Sequence, residues 1–119
     1  MLIHYTIVRR DLPLGTLAAM VAHAAGESAA FYENPENGRG FRGSVVVVLE
    51  VKNEAELKRL SDRLTKSPDL QHIVTRESTP PYNGAWMAIG IVPIERELAA
   101  PYLESLQTLK TLDPQEVSV

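Results

Sequence analysis

The run from Ser44 to Val51 (SVVVVLEV) constrains this chain more than any other stretch. Its β-branched side chains favour extended backbone, and the near-continuous apolar character leaves no face set aside for water. Such a run suits a strand covered on both faces, as in parallel or mixed α/β sheets, and predicts a central place in the sheet.

The flanking sequence supplies what such a strand requires. Leu2 to Arg9 (LIHYTIVR) is rich in β-branched and aromatic residues and is broken by the stretch Pro13 to Gly15, so it predicts a first strand. Thr16 to about Glu33 is dominated by strong helix formers and is apolar around most of its circumference, which predicts a long, largely buried helix. Asn34 to Gly43 collects glycine, proline and asparagine and reads as a mobile loop. Beyond the valine run, Asn53 and Glu56 have the spacing of a helix cap, and Leu57, Leu60 and Leu64 form an apolar stripe through Lys66. Leu70 to Thr75 and Ala85 to Val92 predict two more strands, joined by the turn-rich Ser78 to Gly84. Ile94 to Lys110 carries apolar residues at helical spacing, with Pro101 expected to kink the helix or delay its start. The order β-α-β-α-β-β-α implies an α/β fold with a four-stranded mixed β-sheet flanked by helices, and a right-handed crossover for any parallel connection. One domain over residues 1–112 is expected, with a loose tail from Asp113.

Composition bounds the chemistry. The absence of cysteine excludes disulfides, thiolate metal sites and cysteine nucleophiles. His4, His23 and His72 are not at paired metal-ligand spacing, so no metal is expected. Ser28 and Ser44 lack the glycine-flanked elbow of a serine hydrolase, and Gly38-Arg39-Gly40 is too short for a phosphate loop. No secretory pattern or membrane-length apolar run is present, so a cytoplasmic address without membrane contact is the expectation. A formal charge of −3 works against a polyanionic partner, unless Arg9, Arg10, Arg39, Arg42 and Arg76 converge into a local basic patch.

Several residues are placed to do chemistry. Thr16, His23 and Glu27 fall on one stripe of the first helix, and the i,i+4 spacing lets Glu27 accept from His23 and set its tautomer, as a general base requires. A histidine hydrogen-bonded within a packed helix accounts for the same letters. Arg9, Arg10 and Asp11 stand at the carboxyl end of the first strand, the edge at which α/β sheets bind ligands. Alternation sends the two arginines to opposite faces, so one at most serves a given site as phosphate or oxyanion partner. Solvated charge, with Asp11 bonded back to the turn, is the plainer account. Tyr82 and Trp86 flank the Asn83-Gly84 turn and are candidates for stacking on a base, although most such aromatics only pack.

Val8-Arg9-Arg10-Asp11-Leu12, then Gly15, then the helix from Leu17 through Ala22-His23-Ala24-Ala25 resembles the opening signature of the type-2 peptidyl-tRNA hydrolases. Val45 to Glu50, Ile73 to Glu77 and Met87 to Gly90 resemble that family's later strands, in the same order. The resemblance implies hydrolysis of the ester joining a peptide to the terminal ribose of tRNA, with no metal or organic cofactor, by a protein that is often a homodimer. It implies that His23, Glu77, Arg10 and Thr16 are catalytic, and that Arg9, Asp11, Gly15, Glu27, Arg76 and Tyr82 contact substrate. The chain departs from the pattern in having Thr16 where the family has a lysine, Met20 for a glutamine and Glu77 for an aspartate. These departures keep open two alternatives: a non-catalytic member binding RNA, a small ligand or a protein, and a hydrolase acting on a less anionic substrate.

Overall fold

A computed structural model describes residues 2–32 and 44–110; the expected loop from Asn34 to Gly43 and the expected tail from Asp113 lie outside the described residues. The elements are β1 (Leu2–Arg9), α1 (Leu14–Tyr32), β2 (Ser44–Val51), α2 (Glu54–Leu64), β3 (His72–Glu77), β4 (Ala85–Ile91), β5 (Ile94–Glu95), α3 (Arg96–Leu103) and β6 (Gln107–Thr108). The fold is therefore α/β, with a mixed sheet flanked by helices.

The strands lie in the order β3-β4-β1-β2-β6. β1 and β2 are parallel along their whole length, from Leu2 opposite Ser44 to Arg9 opposite Val51, with α1 in the crossover. β4 runs antiparallel to β1 at Thr6 to Val8, and β5 continues along the same edge opposite Leu2 and Ile3. Pro93 separates β4 from β5, where a residue without an N–H interrupts the ladder.

Alternation along β1 divides the sheet into two faces. Ile3, Tyr5 and Ile7 meet Leu57, Leu60 and Leu64 of α2 together with Ala99 and Leu103 of α3. Val8 meets Leu17, Met20 and Ala24 of α1 on the other face. The cap expected on α2 is present, with the Asn53 side chain accepting from the Glu56 N–H at 3.1 Å. Gly90 allows α1 to approach β4 closely, since a Cβ there would run into the Ala24 carbonyl and the Ser28 side chain.

Five expectations are corrected. Among the described residues the sheet has six strands and not four, since the two-residue β5 and β6 pair with β1 and β2. The valine strand β2 is not central: β1 is, and β2 is bordered beyond by the two-residue β6. Nor is β2 covered on both faces throughout, since Val45 and Val46 remain 44% and 43% exposed. The helix α1 is not largely buried. It presents Leu17, Met20, Ala24 and Ser28 inward and leaves Ala18, Ala22, His23, Glu27 and Phe31 exposed, because one helix on one sheet face has only one stripe to bury. The last helix ends at Leu103, two residues after Pro101, and the expected helical stretch to Lys110 instead supplies β6.

Candidate functional site

The carboxyl end of β1, the first half of α1 and the β3–β4 connection meet at one end of the α1 face. Because β3 runs alongside β1 in the same direction with β4 antiparallel between them, Glu77 at the end of β3 arrives beside the amino-terminal half of α1. His23 is exposed on the helix flank that turns toward β3, close enough for its charge to favour the ionised Glu77 carboxyl. The larger causes holding that carboxyl below its ordinary value are hydrogen bonds, from the Thr79 backbone N–H at 2.9 Å and then from the Thr79 side chain. Glu77 is thus a carboxylate at neutral pH and a weak base; its use is to offset positive charge on the imidazole.

Thr16 is half-buried two turns before His23 on the same stripe, and Gly15 is exposed beside it. Glu27 is exposed one turn beyond, and among the described residues no hydrogen bond joins it to His23. The structure therefore brings His23 and Glu77 to one surface, with Thr16 in line, and leaves the anticipated His23–Glu27 bond unformed.

The arginines diverge as alternation requires. Arg9 makes a forked bond to Asp11, Nε to Oδ1 at 2.6 Å and Nη2 to Oδ2 at 2.8 Å, and its Nη1 donates to the Trp86 carbonyl at 3.2 Å. The hydrogen bond from Arg9 is the main reason the Asp11 carboxyl is held low, and the same bond raises the guanidinium. Arg10 instead places Nη1 3.2 Å from Oε1 of the buried Glu50 on β2. β2 and β3 are three strand spacings apart, roughly 14 Å, so Arg10 is engaged on the far side of the sheet from Glu77.

A bulge decides where the aromatics point. Thr75 pairs with Ala88 but Arg76 with Trp86, so Met87 is an extra residue in β4. The bulge reverses the alternation and turns Trp86 to the α2 face, where Lys58 Nζ lies 5.8 Å above its ring and Glu54 Oε2 accepts its backbone N–H at 2.8 Å. Tyr82 stays on the α1 face, packed beside its cluster. The two rings do not share a surface, which corrects the expected stacking pair. Arg76 Nε donates to the Gly84 carbonyl at 2.8 Å and closes the turn, in which Asn83 and Gly84 have φ of 50° and 92°. Glu54, whose carboxylate holds the start of β4, was not singled out by sequence reasoning; its only sequence signal was its place in the acidic first turn of α2.

Among the described residues no group of three or more histidine, aspartate or glutamate side chains is arranged to hold a metal ion, and no helix is long and apolar enough to cross a membrane.

The profile of the family described as Peptidyl-tRNA hydrolase PTH2 matches residues 2–109. No curated protein matches the chain. A solved structure of a protein of unknown function from Agrobacterium tumefaciens strain C58 superposes with a TM-score of 0.67 at 11% identity, covering 92% of this chain and 98% of that one, which is a likeness of fold.

Proposed function

From the premise that this chain belongs to the type-2 peptidyl-tRNA hydrolase family, we propose that it cleaves the ester between a peptide and the terminal ribose of tRNA at the surface shared by His23 and Glu77. The observation that carries this reading is the approach of a histidine from α1, which makes no hydrogen bond among the described residues, to a carboxylate at the end of β3 that the Thr79 N–H keeps ionised. His23 takes a proton from water as the water oxygen attacks the ester carbonyl, then returns a proton to the departing ribose oxygen. Glu77 offsets the imidazolium charge between those events, and the Thr16 hydroxyl is placed to hydrogen-bond the substrate. The negative carbonyl oxygen is met by backbone donors, Arg10 being occupied with Glu50. Asp11 and Arg9 hold the start of β4 in place, and Gly15, Glu27, Arg76 and Tyr82 border the surface that substrate would cover. The reading includes a cytoplasmic homodimer that needs no cofactor.

One observation favours a second reading, a binding member of the family without turnover. His23 has no hydrogen-bonded group to orient it among the described residues, and Arg9 and Arg10 are both committed to carboxylates. Release of peptide from a peptidyl-tRNA separates the two. The esterase reading expects His23→Ala to lose at least about 100-fold in rate, the low end of what a positioned general base contributes. Glu77→Gln is expected to lose about tenfold, equivalent to about 1.4 kcal/mol of barrier. A folded wild-type chain with no turnover above buffer overturns the esterase reading and leaves the binding one.

A further inference from the structure

The carboxyl ends of the parallel strands β1 and β2 open onto a groove that the ester-cleaving reading leaves unused. Two contiguous clefts of about 530 and 280 Å³ share Val51, Glu56, Ser105 and Leu106 as walls and lie between α2 and the segment that follows α3. Ligands of α/β sheets bind outside the carboxyl ends of parallel strands, and the larger cleft has the volume of a small-molecule site. Its accessible apolar surface comes chiefly from Leu106, with Val51 and Leu60 buried behind it.

The charges in the groove decide what it would take. Arg10, Lys52, Arg59 and Arg63 line it, against Glu50, Glu56 and Asp62, an excess of one positive charge in a chain whose formal charge is −3. Arg10 is spent on Glu50, and an oxygen of Glu56 is taken up by the Lys52 backbone N–H at 3.4 Å. Arg59 and Arg63 make no ion pair among the described residues, and their i,i+4 spacing puts both guanidiniums on one side of α2. Two unspent guanidiniums suit a phosphate, which they can meet with paired donors. Three carboxylates in the same groove oppose a long polyanion such as an RNA backbone, whereas a small ligand needs only one anionic end and can offer hydroxyl or amino donors to Asp62.

We infer that this groove binds a free mononucleotide, its phosphate between Arg59 and Arg63, its planar ring against Leu106, and its donors toward Asp62. The inference is independent of the esterase reading, since His23 and Glu77 lie on the opposite face of the sheet.

The test is a titration of the full chain, observed through its backbone amide resonances, with adenosine 5′-monophosphate, adenosine and inorganic phosphate in turn. The nucleotide is expected to produce saturable shifts at Val51, Leu60, Ser105 and Leu106 while the amides of His23 and Glu77 stay in place. Adenosine is expected to bind at least about tenfold more weakly, and the Arg59→Ala, Arg63→Ala double variant to lose at least about tenfold, a difference of about 1.4 kcal/mol. Both arginines are exposed, so the variant should keep its fold, which its circular dichroism will show. The absence of saturable shifts in the wild-type chain overturns the inference without recourse to any variant. So do shifts centred on His23, equal binding of adenosine, or an unaltered double variant.

Discussion

The two faces of the sheet are built differently. Under α2 and α3 the buried surface is mainly aliphatic, from Ile3, Ile7, Leu49, Ile89 and Ile91 against Leu57, Leu60 and Leu64, with Tyr5 and Ser61 the exceptions. Under α1 it is laced with polar groups: His4 and Thr6 on β1, Ser28 on the helix and Thr75 on β3 are all buried. Ser28 Oγ donates to the Ala24 carbonyl at 2.6 Å, so at 2.7 Å it accepts from His4 Nε2, which assigns the proton to that nitrogen. The hydroxyls of Thr6 and Thr75 have no hydrogen-bond partner among the described residues. One face supplies stability through area removed from water. The other gives up some of that area, is drawn close by small side chains, and has the candidate site at its rim. A buried polar surface demands exact partners where an aliphatic one demands only volume, so the α1 face should respond to changes in geometry and the α2 face to changes in bulk.

The largest expected effect lies on the aliphatic face. Leu57→Ala removes a fully buried side chain and should cost about 2–5 kcal/mol in urea unfolding, while the rate per folded molecule stays unchanged. Loss of activity from a folded Leu57→Ala protein would show that the faces are coupled. Next comes Gly90→Ala, which adds a single methyl where α1 rests on β4 and should cost about 1–3 kcal/mol. It should also lower any His23-dependent rate, since the helix carrying His23 must lift. If stability is retained, α1 is less tightly seated than its contacts imply.

The smallest effect is a pH dependence to which each face contributes one histidine. Burial lowers His4 under α1 and His72 beside α2, where His72 Nε2 and Ser61 Oγ lie 2.8 Å apart. A base whose folded pKa is depressed leaves the unfolded chain binding more protons, so its contribution is fully present above the ordinary value of 6.5 and is lost as pH falls below it. Stability measured from pH 7.5 to 5.5 should therefore decline, and His72→Leu should reduce the slope by the α2 face's share. An unaltered slope would assign the whole dependence to His4 and the polar face.

Much of this was legible in the sequence because it rests on local rules. The ends of β1 and β2, the Asn53 cap and the Leu57, Leu60 and Leu64 stripe follow from side-chain branching, capping chemistry and helical period, which need only a few neighbouring residues. The family kinship was legible in the same way, from Arg9, Asp11, Gly15 and the Ala22-His23-Ala24 helix taken together.

What only the tertiary structure decided is relational. Periodicity cannot say which strand lies at the centre, so the valine-rich run was expected there although β1 holds that place. It cannot detect the extra residue at Met87 that sends Trp86 away from Tyr82, because a bulge belongs to a pair of strands and not to either alone. Nor can it choose among distant partners: Arg10 meets Glu50 because β1 and β2 pair in parallel, and His23 faces Glu77 and not its helical neighbour Glu27 because α1 packs across the sheet. The sequence by itself determined the elements and their chemistry, which follow from contacts a few residues apart. The tertiary structure determined the candidate site, since His23 and Glu77 stand more than fifty positions apart in the chain.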